Sequence, residues 1–147
     1  MANLYPTFEM PALTEPEAAA TPTYGKSWFF DLMKGDFVLD GAGRVAKTNE
    51  HVAWAHWCVK AVLTERFAYL AYSSDYGCEI GEARKQHSRE TVEAELERTI
   101  TEALLADPRT ETVRDFVFRG VADEIFITFL ITPVIGTPER MEVKLNA

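Results

Sequence analysis

TVEAELERTITEALLADPRTETVRDFVF, residues 91–118, changes its period partway along. Val92, Leu96, Ile100, Ala103 and Leu104 recur at spacings that place them on one side of an α-helix. Ser88 stands at the N-cap position, and Glu90 and Glu93 in the first turns favour the helix dipole. Asp107-Pro108 stops the helix. Beyond it Phe116 and Phe118 alternate with Asp115 and Val117, which predicts a strand over Val113 to Arg119. The other face of the helix carries Glu95, Glu97, Arg98 and Glu102, a solvated surface by its composition.

Downstream, Ile125, Ile127, Phe129 and Ile131 share one face of a second strand, Glu124 to Thr132. The short Gly120-Val121-Ala122-Asp123 link makes the two a hairpin. Pro133 and Pro138 bracket a loop, and Met141 to Leu145 again alternates with period two. That last strand has no obvious neighbour in sequence to pair with.

Upstream, Ser27 to Leu32 and Asp36 to Asp40 read as short strands around Met33-Lys34-Gly35. Asp40-Gly41-Ala42-Gly43 is a turn from which Arg44 to Lys47 returns as a partner strand. Thr48 offers an N-cap for a helix from Asn49 to about Arg66, with Trp54, Cys58, Ala61 and Val62 as its buried stripe. Trp57 lies off that stripe, so the helix is expected to be covered on a second side. The fold class is therefore α+β: a small mixed or antiparallel sheet, two helices on one face, an extended N-terminal arm and a C-terminal strand.

Residues 1–26 form the arm. Pro6, Pro11, Pro16 and Pro22 fall here, with Ala18-Ala19-Ala20 and almost no periodicity. Tyr5, Phe8 and Tyr24 would anchor it to a neighbour. Residues 27–132 make the core domain, and 133–147 a linker with a partner-pairing strand. A chain of 147 residues with 47% hydrophobic content suffices for one domain that buries about two-thirds of its unfolded surface.

The net charge of −8 comes from 23 acids against 15 bases, with no clustered Lys and Arg. Nucleic acid and anionic membrane are poor partners for such a surface. No apolar run is long enough to span a bilayer, and no secretory signal is expected. Cys58 sits in an apolar helical run as a buried free thiol, which with Cys78 suits folding in a reducing, cytosolic compartment.

Between the two helices lies VLTERFAYLAYSSDYGCE, residues 62–79, with Glu65-Arg66, three aromatics without helical period, and Asp75-Tyr76-Gly77. It suggests either a contact surface or a catalytic cleft. Glycoside hydrolysis would need two carboxyls at a set separation, and Glu65 with Asp75 or Glu79 could supply them. Equally, Glu65-Arg66 suits a local ion pair or a helix terminus. His51, His56, Cys58 and Cys78 lack the spacing of zinc ligands. Ser73-Ser74 and His87 are present but no GxSxG elbow frames either serine, and Gly41-Ala42-Gly43 lacks the ending of a P-loop. No metal or cofactor is expected.

The motifs LTER, YLxYSxDYG, ITEALLxDP and VxDFxF occur in that order between Ser27 and Thr132. Together they resemble the small baseplate wedge proteins of contractile phage tails, the sheath-initiator family. Its wider relatives include a type VI secretion baseplate subunit and contractile bacteriocin components. The resemblance implies a non-enzymatic virion component, made and assembled in the bacterial host cytoplasm. Several copies around the tail axis would bridge wedge and hub to the first sheath ring. It makes Glu65 and Arg66 a wedge-contact pair, and Tyr69, Tyr72, Asp75, Tyr76 and Gly77 part of the same docking corner. The pair stands further from Asp-aromatic-Gly here than in many relatives, because Phe67 to Ser74 intervene. The lysozyme-like label given to some members is a naming legacy. Residue chemistry adds a means of contact: Met141, Val143 and Leu145 would fill alternate pockets if the last strand joins a sheath sheet, the alternative being that it pairs within the domain's own sheet.

Overall fold

The computed structural model describes residues 21–32, 34–121 and 124–145. Most of the expected arm, residues 1–20, and Met33 of the first turn lie outside the described residues, as do Ala122-Asp123 of the hairpin link. The elements run β1 (Ser27–Trp28), β2 (Phe30–Asp31), β3 (Asp36–Phe37), β4 (Lys47–Thr48), α1 (Glu50–Leu63), α2 (Ile80–Ala83), α3 (Arg89–Leu105), β5 (Thr110–Val121), β6 (Glu124–Pro133) and β7 (Glu139–Leu145). This is the expected α+β class.

The first four strands form a small ribbon apart from the main sheet. β1 pairs antiparallel with β4, β2 with β3, and Leu39 bridges to Val45. The expected turn at Asp40 is present: its Oδ1 accepts from the amides of Ala42 and Arg44, both at 2.9 Å. Thr48 does not cap α1, because it is buried and paired with Ser27 in the ribbon. Asn49 takes the role, its Oδ1 accepting from Val52 N at 2.8 Å.

α1 also ends earlier than its apolar pattern implies. Thr64 is extended, and its hydroxyl donates back to the Lys60 carbonyl at 2.7 Å. α3 matches expectation closely, with Ser88 Oγ accepting from Thr91 N and Thr91 Oγ1 accepting from Ser88 N. The one-turn helix α2 is an addition to the expected elements.

β5, β6 and β7 make an antiparallel sheet with β6 in the centre. Here the structure takes the second of the two pairings open to the C-terminal strand and corrects the partner-facing role expected of its side chains. The C-terminal strand is paired within the chain, in unbroken register from Ile125↔Leu145 to Ile131↔Glu139. Met141, Val143 and Leu145 are 5%, 2% and 5% exposed, so they fill this protein's own core and are not free for a partner's pockets. The reason is that a central strand has two edges of unpaired donors and acceptors. β5 satisfies one edge of β6 and leaves the other to be paired.

One face of this sheet is covered, α3 lying on β5 and α1 on β7. Trp54, Cys58, Ala61 and Val62 of α1 and Leu96, Ile100, Ala103 and Leu104 of α3 meet Ile127, Phe129 and Ile131 there. Each large side chain buried in this way contributes about 1.5–3 kcal/mol. Trp54 also donates from Nε1 to Thr110 Oγ1 at 3.2 Å, tying α1 to the start of β5.

Candidate docking surface

The excursion from Phe67 to Tyr76 is closed at its base by a parallel bridge between Glu65 and Cys78. Arg66 N donates to Cys78 O at 3.0 Å, and Cys78 N donates to Thr64 O at 2.9 Å. Gly77 makes this closure possible. Its φ is +99°, and a Cβ there would lie 2.7 Å from the Thr64 carbonyl oxygen.

Glu65 and Arg66 diverge from this base. Arg66 turns inward, with its side chain only 8% exposed. Its Nε donates to Gly77 O at 3.0 Å and its NH1 to Glu102 Oε1 at 2.8 Å, with Glu79 Oε1 a further 3.8 Å neighbour. Glu65 Oε2 accepts instead from Gly81 N at 3.4 Å, at the start of α2. The adjacent pair is therefore two separate staples, one across to α3 and one to α2. The Arg66 hydrogen bond is the main cause that holds the Glu102 carboxyl below its usual range.

Outward, the excursion presents apolar surface. Phe67, Tyr69 and Leu70 are strongly exposed and Tyr72 is half exposed. Three successive turns, Ala68 N to Glu65 O, Tyr72 N to Tyr69 O and Tyr76 N to Ser73 O, hold it in shape. An aromatic chain then runs inward: Tyr69 to Tyr72 at 6.0 Å, Tyr72 to Tyr76 at 4.5 Å, and Tyr76 to Trp57 at 5.6 Å. Trp57, expected to be covered on a second side, is covered by this chain and by the Arg109 guanidinium. Asp75 is exposed.

The site residues therefore separate. Tyr69 and Tyr72 are outward, Arg66 and Gly77 are inward, and Met141, Val143 and Leu145 lie in the core of a different region. Sequence reasoning missed Glu102 and Gly81 as the acceptor and donor that orient Arg66 and Glu65. Glu102 reads in the sequence as part of a solvated face, and no local signal marks a contact across 36 positions. Leu70, fully exposed in the middle of an apolar run, is also passed over by pattern alone.

The two sheet edges differ. β5 is interrupted by register shifts between Thr110 and Thr112 and between Arg114 and Val117, where Asp115 has a φ of +58°. β7 is regular throughout, and its outward side chains, Arg140, Glu142 and Lys144, are exposed.

The residues weighed for metal or acid–base chemistry are dispersed. His51 lies 3.7 Å from a Glu139 oxygen, while His56 packs on Phe29. Burial pushes both cysteine thiols up. Among the described residues no group of three or more His, Cys, Asp or Glu could hold a metal, and no helix is long and apolar enough to cross a membrane. Glu65 is engaged at α2 and Glu79 faces Arg66, so the glycan-cleaving alternative gains no support.

Comparison with known proteins gives two findings. The family profile for the contractile injection system sheath initiator matches residues 26–133. The phage-like element PBSX protein XkdS of Bacillus subtilis (strain 168) is 37% identical over 87 residues. That alignment covers 56% of this chain and 60% of the relative, less than two-thirds of the relative's length.

Proposed function

Since the chain belongs to the contractile injection system sheath initiator family, we propose that it is a non-enzymatic component of a tail baseplate on which the sheath begins to assemble. Several copies around the tail axis bridge wedge and hub proteins to the first sheath ring. They are made and assembled in the host cytoplasm. The exposed Phe67–Tyr72 surface faces the baseplate neighbours, and the inward Arg66 and Glu65 hold that surface in position.

The observation that carries the sheath-facing part is the edge of β7. Its seven residues keep a continuous register with β6, and its opposite edge has no partner strand among the described residues. A strand from the first sheath subunit adds there through main-chain hydrogen bonds, extending the sheet to four strands. β5 is the poorer template because its bulges break the regular spacing of donors and acceptors. In this form the side chains of Met141, Val143 and Leu145 stay in their own core while the backbone beside them receives the partner.

Hydrogen exchange tests this. β7 amides that point away from β6 should exchange readily in the free protein and become protected when purified sheath protein nucleates on baseplates. Unchanged β7 exchange in particles with a nucleated sheath would sink the reading.

A further inference from the structure

A groove of about 790 Å³ runs between the N-terminal ribbon and α1. Trp28, Phe37 and Trp57 are among its apolar walls, with Trp28 53% and Phe37 49% exposed. Among the described residues the charged side chains that line it are Lys26, Lys60 and Arg109, the last already paired with Asp107, and no described Asp or Glu lines it. Neither Lys26 nor Lys60 forms an ion pair among the described residues, and Lys47 adds a further cation over the Trp28 ring at 5.9 Å. A wall of aromatics bordered by cations, on a chain whose net charge is −8, calls for an apolar and acidic occupant.

We propose that residues 5–16 of this same chain occupy the groove. The segment YPTFEMPALTEP holds Pro6, Pro11 and Pro16, the apolar Tyr5, Phe8, Met10 and Leu13, and the acids Glu9 and Glu15. Residues 1–20 contain no Lys or Arg. Proline-bearing extended chain docks on aromatic grooves because its backbone is pre-set and its rings lie flat on aromatic faces.

The attachment point fits this occupant. Tyr24 donates its hydroxyl hydrogen to Arg109 O at 3.1 Å and accepts from Ile135 N at 3.2 Å, and the next two residues, Gly25 and Lys26, already line the groove. The described chain, followed back from Lys26 to Tyr24, thus starts at the groove's own mouth. Twenty residues at ~3.1 Å each reach about 60 Å, ample for folding back along the wall. A tether this short gives an effective concentration on the order of millimolar, which favours the chain's own segment over that of a second copy. The inference does not depend on how β7 meets the sheath.

A glutamate-specific protease applied to the full-length chain provides the test, with cleavage after Glu9 and Glu17 followed by mass spectrometry; the bond after Glu15 precedes Pro16 and is resistant. The comparison is with Trp28→Ala and Lys60→Glu, at two exposed groove positions. Docking predicts cleavage at Glu9 at least about tenfold slower in the wild type than in either variant, at a rate independent of protein concentration. Equal rates in all three proteins overturn the proposal. Protection that grows with protein concentration also overturns it, by making a second copy's segment the occupant. If Trp28→Ala melts at a lower temperature, the comparison of wild type with Lys60→Glu alone decides between docking and its absence.

Discussion

Arg66 donates from NH1 to Glu102 Oε1 at 2.8 Å, joining the base of the exposed aromatic excursion to the solvent side of α3. The guanidinium is almost fully buried while the carboxylate is half exposed, so the two ends of the contact are not equivalent. Arg66→Ala removes the donor to Gly77 O as well and should cost about 2 kcal/mol, whereas Glu102→Gln should cost less than about 1 kcal/mol. Chemical denaturation checks both. The Glu102 carboxyl is held below its usual range, first by Arg66, so the paired form stabilises fully at neutral pH. The difference between wild type and Arg66→Ala should shrink as pH falls through the Glu102 titration.

Gly77→Ala should be among the most damaging single changes in the chain. The added Cβ would press on the Thr64 carbonyl oxygen at 2.7 Å, from a backbone with φ of +99°. A loss of about 3 kcal/mol is expected, from strain plus displacement of the parallel bridge. Gly43→Ala is the control. It shares a positive φ but meets open space, and should lose only about 1 kcal/mol.

β7 should behave as core. Met141→Ala is expected to lower stability by about 2–4 kcal/mol, while Glu142→Ala, on the exposed side of the same strand, should stay within about 0.5 kcal/mol. Thermal melts of the two variants separate this arrangement from one in which the strand hangs free, where both would be neutral.

Acidification should destabilise the protein before its carboxylates titrate. Burial, and then the charge of Lys60, lower the His56 pKa below its ordinary value. The unfolded chain therefore binds that proton more readily than the folded one. Stability is complete above about pH 6.5 and declines as pH falls from there toward the folded pKa. His56→Gln should flatten the slope of stability against pH that sets in below about pH 6.5.

Leu70→Ser should leave the melting temperature nearly unchanged and Tyr69→Ala should lower it only slightly, because Leu70 is fully exposed and Tyr69 is largely exposed with one edge contact to Tyr72. If the excursion docks on baseplate neighbours, the same variants should enter baseplates poorly when mixed with wild-type chain. Normal incorporation in a competition assay would remove this surface from the interface.

The local elements were legible because each is encoded by near neighbours. Val92 to Leu104 mark the α3 stripe, Ser88 its cap, and Asp107-Pro108 its end. Trp54 to Val62 mark the buried side of α1, and the alternation of Ile125 to Ile131 marks β6. These signals arise from the 3.6- and two-residue periods of the backbone, which survive without knowledge of the partner. At Thr48, expected as the cap of α1, a distant pairing with Ser27 took that residue into the ribbon and left the role to Asn49.

Sequence by itself therefore determined the class of fold, the principal helices and the β5–β6 hairpin. It also carried, through ordered motifs, the family to which the chain belongs. Only the tertiary structure decided that β7 closes on the second edge of β6, that Arg66 faces Glu102 while Glu65 faces Gly81, and that the aromatic excursion stands outward on a glycine-locked base. The physical reason is common to all three. Each depends on hydrogen-bonding groups far apart in the chain finding one another once the apolar faces have packed, and the periodicity of a single segment contains no record of that meeting.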